Sequence, residues 1–427
     1  MSTISCVLPV IAAVAFTSSA LAQDCPIAEA LSASDADVRL FDTHVSTLSS
    51  PAMGGRLPGS EGMELAKRYV ERSFELAGLE PAFGSGGDPS YRQSFAMDGT
   101  NAENVVGILR GKGELANQFI VIGAHLDHLG DGQISSRGQT GLLHAGADDN
   151  ASGVAGMLVM AQSLAADYAE LPGNRRSVLF IAFSGEESGL KGATHYVENP
   201  IAPITSHKLM LNFDMIGRVE GGRLSVSGVG TGQGLEDVVT PIFEASALVE
   251  QVESGLSGRS DHFAFFESRI PVLFVTQTDQ HDDYHTERDV SWKINRTQGA
   301  HIARVFAKVV HAVASTSDEI QFVGGSRAAS GPGMGSIKVR FGIRPGSYVE
   351  GVEGVAVGGV TPDSPADYAG LRPGDLLVAW NGEKVGDVRD WMGQLMRHQP
   401  GDVVTVTVDR NGQRIDLRAT LQDRGGV

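Results

Sequence analysis

Residues 119–130 read FIVIGAHLDHLG, an unbroken apolar and small run that ends abruptly in His125, Asp127 and His128. A stretch that is apolar at nearly every position suits a strand buried on both faces, as in a mostly parallel sheet. The same grammar returns at residues 178–189, VLFIAFSGEESG, where the run Val178–Phe183 delivers Glu186 and Glu187. Further strand-like runs lie at Asn104–Leu109, at Leu209–Phe213, which leads into Asp214, and at Ile270–Val275. Between and around them, helical spacing is expected over Ser60–Ala77, Ala151–Tyr168, Gly234–Ser246 and Gln298–Ala314. This alternation predicts a three-layer α/β/α sandwich with a mostly parallel central sheet. Open sheets of this kind bind ligands outside the carboxyl ends of their strands. That is where the chain places its His, Asp and Glu residues.

Five of those residues form a candidate metal set: His125, Asp149 in GADDNASG, Glu187, Asp214 in NFDMIGR and His285 in DYHTERD. Imidazole and carboxylate together are the donors zinc takes at a catalytic site, and their number suits a pair of ions. Asp149 precedes a helical run, where the helix dipole favours a carboxylate, and its two oxygens could each take one cation. Glu186 and Glu187 are adjacent, so one could bind metal while the other accepts a proton from the attacking water. Asp127, two residues beyond His125, would point to the same side and orient the imidazole with its carboxylate. His128, His144 and His281 read as bystanders.

The bulk composition excludes several classes of function. With 34 Lys+Arg against 51 Asp+Glu the formal charge is −17, which argues against nucleic acid or an anionic membrane as partner. Hydrophobic content of 41% in 427 residues fits a globular chain of two domains. Residues 1–22 read as a secretory signal, with an apolar core from Val7 to Phe16 and a small-x-small site at Ala20–Ala22. That core is too short to span a bilayer, so an exported protein, periplasmic or extracellular, is expected. Cys6 would leave with the signal, and Cys25 alone can form no internal disulfide.

The motif series GAHLDHLG, GADDNASGV, FIAFSGEESGLKG, LNFDMIGR, SDHFAF and DYHTERD resembles that of the secreted dizinc aminopeptidases of peptidase clan MH. The resemblance runs from about Asn101 to Ala314. It implies that His125 and Asp214 bind one zinc, that Glu187 and His285 bind the other, and that Asp149 bridges them. It further implies Glu186 as general base, Tyr284 as a stabiliser of the oxyanion, and Asp127 as the supporting acid. Ser260, Asp261 and His262 would support the site from behind. The implied reaction is removal of N-terminal residues from peptides by water activated at two zinc ions. Rival readings on the same scaffold are a glutaminyl cyclase-like acyltransferase, a zinc carboxypeptidase and a non-catalytic peptide-binding protein. The general base argues against the last.

Beyond a small-residue linker the chain changes character, with short alternating runs and Asn-Gly turns. Arg340-Phe341-Gly342-Ile343 and SPADYAGLRPGDLLVAWNG, residues 364–382, resemble a PDZ domain of the bacterial protease-associated kind. The resemblance implies capture of a C-terminal peptide or protein ligand, with Phe341, Gly342 and Ile343 forming the carboxylate loop. The expected division is a signal at 1–22, a zinc aminopeptidase domain at 23–316, a linker at 317–336, the PDZ domain at 337–422 and a tail at 423–427.

Overall fold

The computed structural model describes residues 26–324 and 339–423, less 133–135, 253–255, 346–353, most of 387–396 and scattered single positions. The expected signal segment, most of the linker and the last residues of the tail lie outside the described residues.

The sheet that positions the site is built from strands β1 (Arg92–Met97), β2 (Thr100–Leu109), β3 (Phe119–His125), β4 (Ser177–Phe183), β5 (His207–Phe213), β6 (Arg223–Ser227), β7 (Val249–Val252) and β8 (Val272–Gln277). Their spatial order is β2-β4-β3-β5-β8-β6-β7, with β1 paired to β2 as a hairpin. The central strands β4, β3, β5 and β8 run parallel. Antiparallel pairings of β2 with β4 and of β6 with β8 flank them, so the sheet is mixed at its edges.

Helices α1 (Pro26–Leu48), α2 (Glu61–Leu76), α3 (Gly153–Glu170), α4 (Lys191–Glu198), α5 (Leu235–Glu244), α6 (His262–Glu267) and α7 (Arg296–Ser315) cover it. Side chains alternate between the two faces of each strand. Val178, Phe180 and Ala182 of β4 thus join one core with residues of α1, α2, α3, α5 and α7. Leu179, Ile181 and Phe183 join a second core with residues of α4 and α6. Two opposite apolar faces explain why these strands read as continuous apolar runs.

Local sequence sets the helix starts. Ser60 caps α2 by accepting the Met63 N–H at 3.1 Å, and Asn295 caps α7 by accepting that of Gln298 at 3.2 Å. Helix α1 was not expected from the sequence. Its Val38, Phe41, Val45 and Leu48 follow helical spacing and pack into the first core.

From β3 the chain goes to β4 on one side and then crosses over to β5 on the other, so strand order reverses beside β3. Such a reversal opens a crevice at the carboxyl ends of the strands. His125 is the last residue of β3, Asp214 directly follows β5, and Glu186 and Glu187 follow β4.

Residues 339–423 carry their own apolar core, centred on Phe341, Trp380 and Trp391. Ile343–Pro345, Val355–Val360, Leu376–Trp380, Val403–Arg410 and Gln413–Thr420 form an antiparallel sheet. Phe341 is a buried plug, edge-on to Trp380 with ring centroids 4.9 Å apart. Gly342 has φ +97°, and a Cβ there would meet Cβ of Ser364 at 2.1 Å, so the turn admits only glycine. Ile343 pairs with Val360 in the sheet.

Candidate metal centre

The five expected donors converge. Nε2 of His125 stands 3.2 Å from Oδ1 of Asp149 and 3.5 Å from Oδ1 of Asp214. Nε2 of His285 stands 3.1 Å from Oδ2 of Asp149 and 3.0 Å from Oε2 of Glu187. The two oxygens of Asp149 therefore face two different donor groups. Asp149 sits on an irregular turn, Ala147–Ser152, in front of α3. His285 holds a positive φ of 58°.

Zinc fits this donor set on physical grounds. Oδ2 of Asp149 is buried and accepts no directed hydrogen bond among the described residues, although an imidazole nitrogen stands close to it. Burial opposes the charged forms of His125 and His285, yet the surrounding carboxylates outweigh it and hold both imidazoles well above their usual range. Burial likewise holds Glu186 well above the usual carboxylate range, with Glu187, Asp214 and Asp261 adding to the effect against the pull of His125. A cluster this acidic calls for positive charge.

Asp127 departs from the expectation. Its carboxylate does not orient His125: Oδ1 lies 4.0 Å from Nδ1, and the ring is instead 3.1 Å from the Asp127 backbone carbonyl. The carboxylate accepts the backbone N–H groups of Glu186 and Glu187 at 3.2 and 3.4 Å. It thus fixes the turn after β4 that presents both glutamates.

His128 is no bystander. Its Nδ1 stands 2.9 Å from Oε1 of Glu187, inside the metal cluster. Burial, helped by Arg56, lowers its pKa against the pull of Glu187 and Asp149. His281 is also engaged, with Nε2 3.1 Å from Oδ2 of Asp148. His144 contacts Ser136 and its own loop.

Tyr284 stacks on His285 with ring centroids 3.8 Å apart, and the Arg137 guanidinium lies 4.7 Å from the tyrosine ring centre. Asn212, just before Asp214, donates to Ser260 Oγ at 2.8 Å. Asp261 is buried, with neither carboxylate oxygen hydrogen-bonded among the described residues, and burial raises its pKa well above the usual range.

Two supporting residues carried no expectation. Asp289 accepts the N–H groups of Asp148 and Asp149 at 3.0 Å and so caps the turn that holds Asp149. It stands in DYHTERD, but the pairing links distant positions. Arg56 is fully buried and donates to the carbonyls of Leu48, Leu126, Ala145 and Gly146 at 2.7–2.9 Å. It ties the strand carrying His125 to the turn carrying Asp149. A lone Arg before Leu-Pro-Gly gave no signal of that.

Residues 104–310 match the description of peptidase family M28, and residues 326–421 that of a PDZ domain. Residues 104–310 belong to peptidase family M28. The family falls in clan MH, as the motif series implied. An aminopeptidase of Pseudomonas aeruginosa is 36% identical over 164 residues, covering 36% of this chain and 27% of that protein. The chain therefore spans about a quarter of that relative. Glutaminyl cyclase of Porphyromonas gingivalis superposes with a TM-score of 0.53 at 17% identity, over 65% of this chain and 98% of that one. A leucine aminopeptidase precursor from Bacteroides thetaiotaomicron gives 0.53 at 17% identity, over 64% and 96%. At such identities the M28 likeness to these structures is one of fold.

Proposed function

We propose that this protein is an exported aminopeptidase that uses two zinc ions. One observation carries the reading: the imidazoles of His125 and His285 approach different oxygens of Asp149, at 3.2 and 3.1 Å. His125, Asp149 and Asp214 would hold one ion, and Asp149, Glu187 and His285 the other. When bound, zinc supplies Lewis acidity toward the peptide carbonyl and acidifies water.

The chain's own residues do the rest. Glu186 stands beside the donors without joining them, and in its ionised form takes the proton of the attacking water and hands it to the leaving amine. Asp127 holds the Glu186 and Glu187 amides, so both carboxylates leave the turn in fixed directions. Tyr284, whose ring stacks on that of His285, would donate its hydroxyl to the developing oxyanion. The α-amine of a substrate would lie against an ion or an acidic side chain of the site, in keeping with removal of N-terminal residues.

The sequence of residues 1–22 supports export, and no helix among the described residues is long and apolar enough to cross a membrane. The turn at Phe341–Ile343 would receive a peptide carboxylate in the PDZ domain.

The glutaminyl cyclase reading shares the fold, but donors gathered at both oxygens of Asp149 favour two ions over one. Mass spectrometry of a defined peptide mixture incubated with the zinc-loaded protein tests the choice. Stepwise loss of N-terminal residues, abolished by Glu186→Gln, is expected. Cyclised N-terminal glutamine, or intact peptides from folded and loaded protein, would overturn the reading.

A further inference from the structure

His128 lies three residues beyond His125 and outside the ligand set that the motifs pick out, yet it reaches the same carboxylates. Its Nδ1 is 2.9 Å from Oε1 of Glu187 and 3.8 Å from Oδ2 of Asp149. The other oxygen of Glu187, Oε2, is 3.0 Å from Nε2 of His285. The two oxygens of Glu187 are thus divided between two imidazoles.

The seat of the ring is built. The side chain is buried, and the ring stands edge-on to that of His285 with centroids 5.8 Å apart. The His128 N–H donates to the carbonyl of Arg56 at 3.2 Å, which fixes the backbone from which the ring hangs. Gly146 clears the space: it has φ +56°, and a Cβ there would meet His128 Cδ2 at 2.5 Å.

Resting on the two-ion reading above, we propose that His128 is a positioning residue for the second ion and not one of its ligands. Its Nδ1–H donates to Oε1 of Glu187 and leaves Oε2 as the oxygen presented beside His285 and Asp149.

The other ring nitrogen decides between donor and ligand. A metal-bound imidazole almost always donates its second N–H to an acceptor, which fixes the tautomer. Nε2 of His128 is buried and has no hydrogen-bond partner among the described residues. With Nδ1 on a metal, the proton would sit on Nε2 and be stranded there. With Nδ1–H as donor, Nε2 carries only a lone pair. The 3.8 Å separation from Asp149 exceeds a hydrogen bond, so that carboxylate stays available to both donor groups.

An unpinned glutamate can swing between one-oxygen and two-oxygen binding or turn away. Holding Oε1 removes that freedom before the ion arrives, which raises affinity at one site alone. Among the described residues no hydrogen bond or ion pair joins His128 to His125 or Asp214, the donors to the first ion.

The test titrates full-length, metal-free protein with zinc against a chromophoric chelator, and with cobalt(II) followed by its visible absorption. Wild type, His128→Asn and His128→Leu are compared. The Asn amide can donate from the place of Nδ1 but is a poor zinc ligand, whereas Leu donates nothing. Wild type should take up two ions. His128→Asn should bind the second within about threefold of wild type, and His128→Leu about 10–100-fold more weakly. First-ion affinity should be unchanged in both, and the cobalt spectrum of the second step should change only in His128→Leu.

Equal second-ion affinity in wild type and His128→Leu would overturn the inference. So would a loss in His128→Asn as large as that in His128→Leu, which would make the ring nitrogen a ligand. A wild type that takes up one ion would sink the two-ion reading and this inference with it. Should His128→Leu fail to fold, the spectrum of His128→Asn decides alone: a wild-type second step supports the inference and an altered one overturns it.

Discussion

Oδ2 of Asp289 accepts the backbone N–H of Asp149 at 3.0 Å across 140 residues of sequence. The same carboxylate takes the N–H of Asp148, so a distant loop caps the turn that carries Asp149. Asp289→Ala leaves two buried N–H groups unmet, each costing about 1–3 kcal/mol. It also frees Asp149 to rotate. Urea denaturation of the metal-free protein should register the lost stability, and zinc competition should register weaker binding of both ions. Undiminished affinity for both would mean that the cap does not position Asp149.

Glu186 is the residue whose loss should separate chemistry from metal binding. Glu186→Gln keeps the shape and the backbone N–H held by Asp127 but cannot take a proton. A positioned general base contributes about 10²–10⁴-fold. Turnover of an aminoacyl reporter should fall by about that factor, while zinc content measured by atomic absorption stays at the wild-type level. A variant that lost zinc together with activity would make Glu186 a ligand instead.

The strands and the five donors were legible because each signal is local. A run apolar on both faces reports a doubly covered strand, and a His, Asp or Glu directly after it reports the crevice. What the sequence hid was pairing at a distance. Asp289 and Arg56 act on backbone groups, and backbone groups carry no residue code. Asp127 was read for its carboxylate, whereas its carbonyl faces His125 and its carboxylate turns to the next strand's exit. His128 reads as a bystander in the sequence because its partner, Glu187, stands 59 residues away. Helix α1 was readable from Val38, Phe41, Val45 and Leu48, but that spacing sits among many small and polar residues.

Two buried histidines away from the metal cluster make stability depend on acid. Burial lowers the pKa of His44 and of His207 from 6.5 to about 4. Nε2 of His207 meets the Tyr196 hydroxyl at 2.9 Å, and its ring lies against Phe119 with centroids 5.4 Å apart. Between about pH 6.5 and pH 4 the unfolded chain binds a proton that the folded chain refuses, so stability falls as pH falls through that window. Below pH 4 the loss levels off. At 1.36 kcal/mol per pKa unit, His207 alone should cost about 2 kcal/mol between pH 7 and pH 5. Urea midpoints of wild type and His207→Gln at the two pH values measure it. Titration of the metal cluster is common to both proteins and cancels in the difference. Parallel lines for the two proteins would show that His207 does not carry the effect.

The PDZ domain is dispensable for the zinc chemistry if its core is independent of the peptidase core. Phe341, Trp380 and Trp391 pack among residues 339–421, and none of the metal donors or their supports belongs to that cluster. The start of the expected linker is different in kind. Phe322 bridges to Gly232, and its ring lies 5.3 Å from the Arg269 guanidinium, so a truncation has to keep it. A chain ending at residue 324 should therefore bind zinc with unchanged affinity and hydrolyse an aminoacyl reporter with unchanged kcat/KM. Cleavage of longer peptides should weaken through KM, since the domain acts by capturing chain. Circular dichroism confirms that the truncated protein is folded before rates are compared. A folded truncation that holds zinc but turns over no small substrate would mean that the PDZ domain completes the active site.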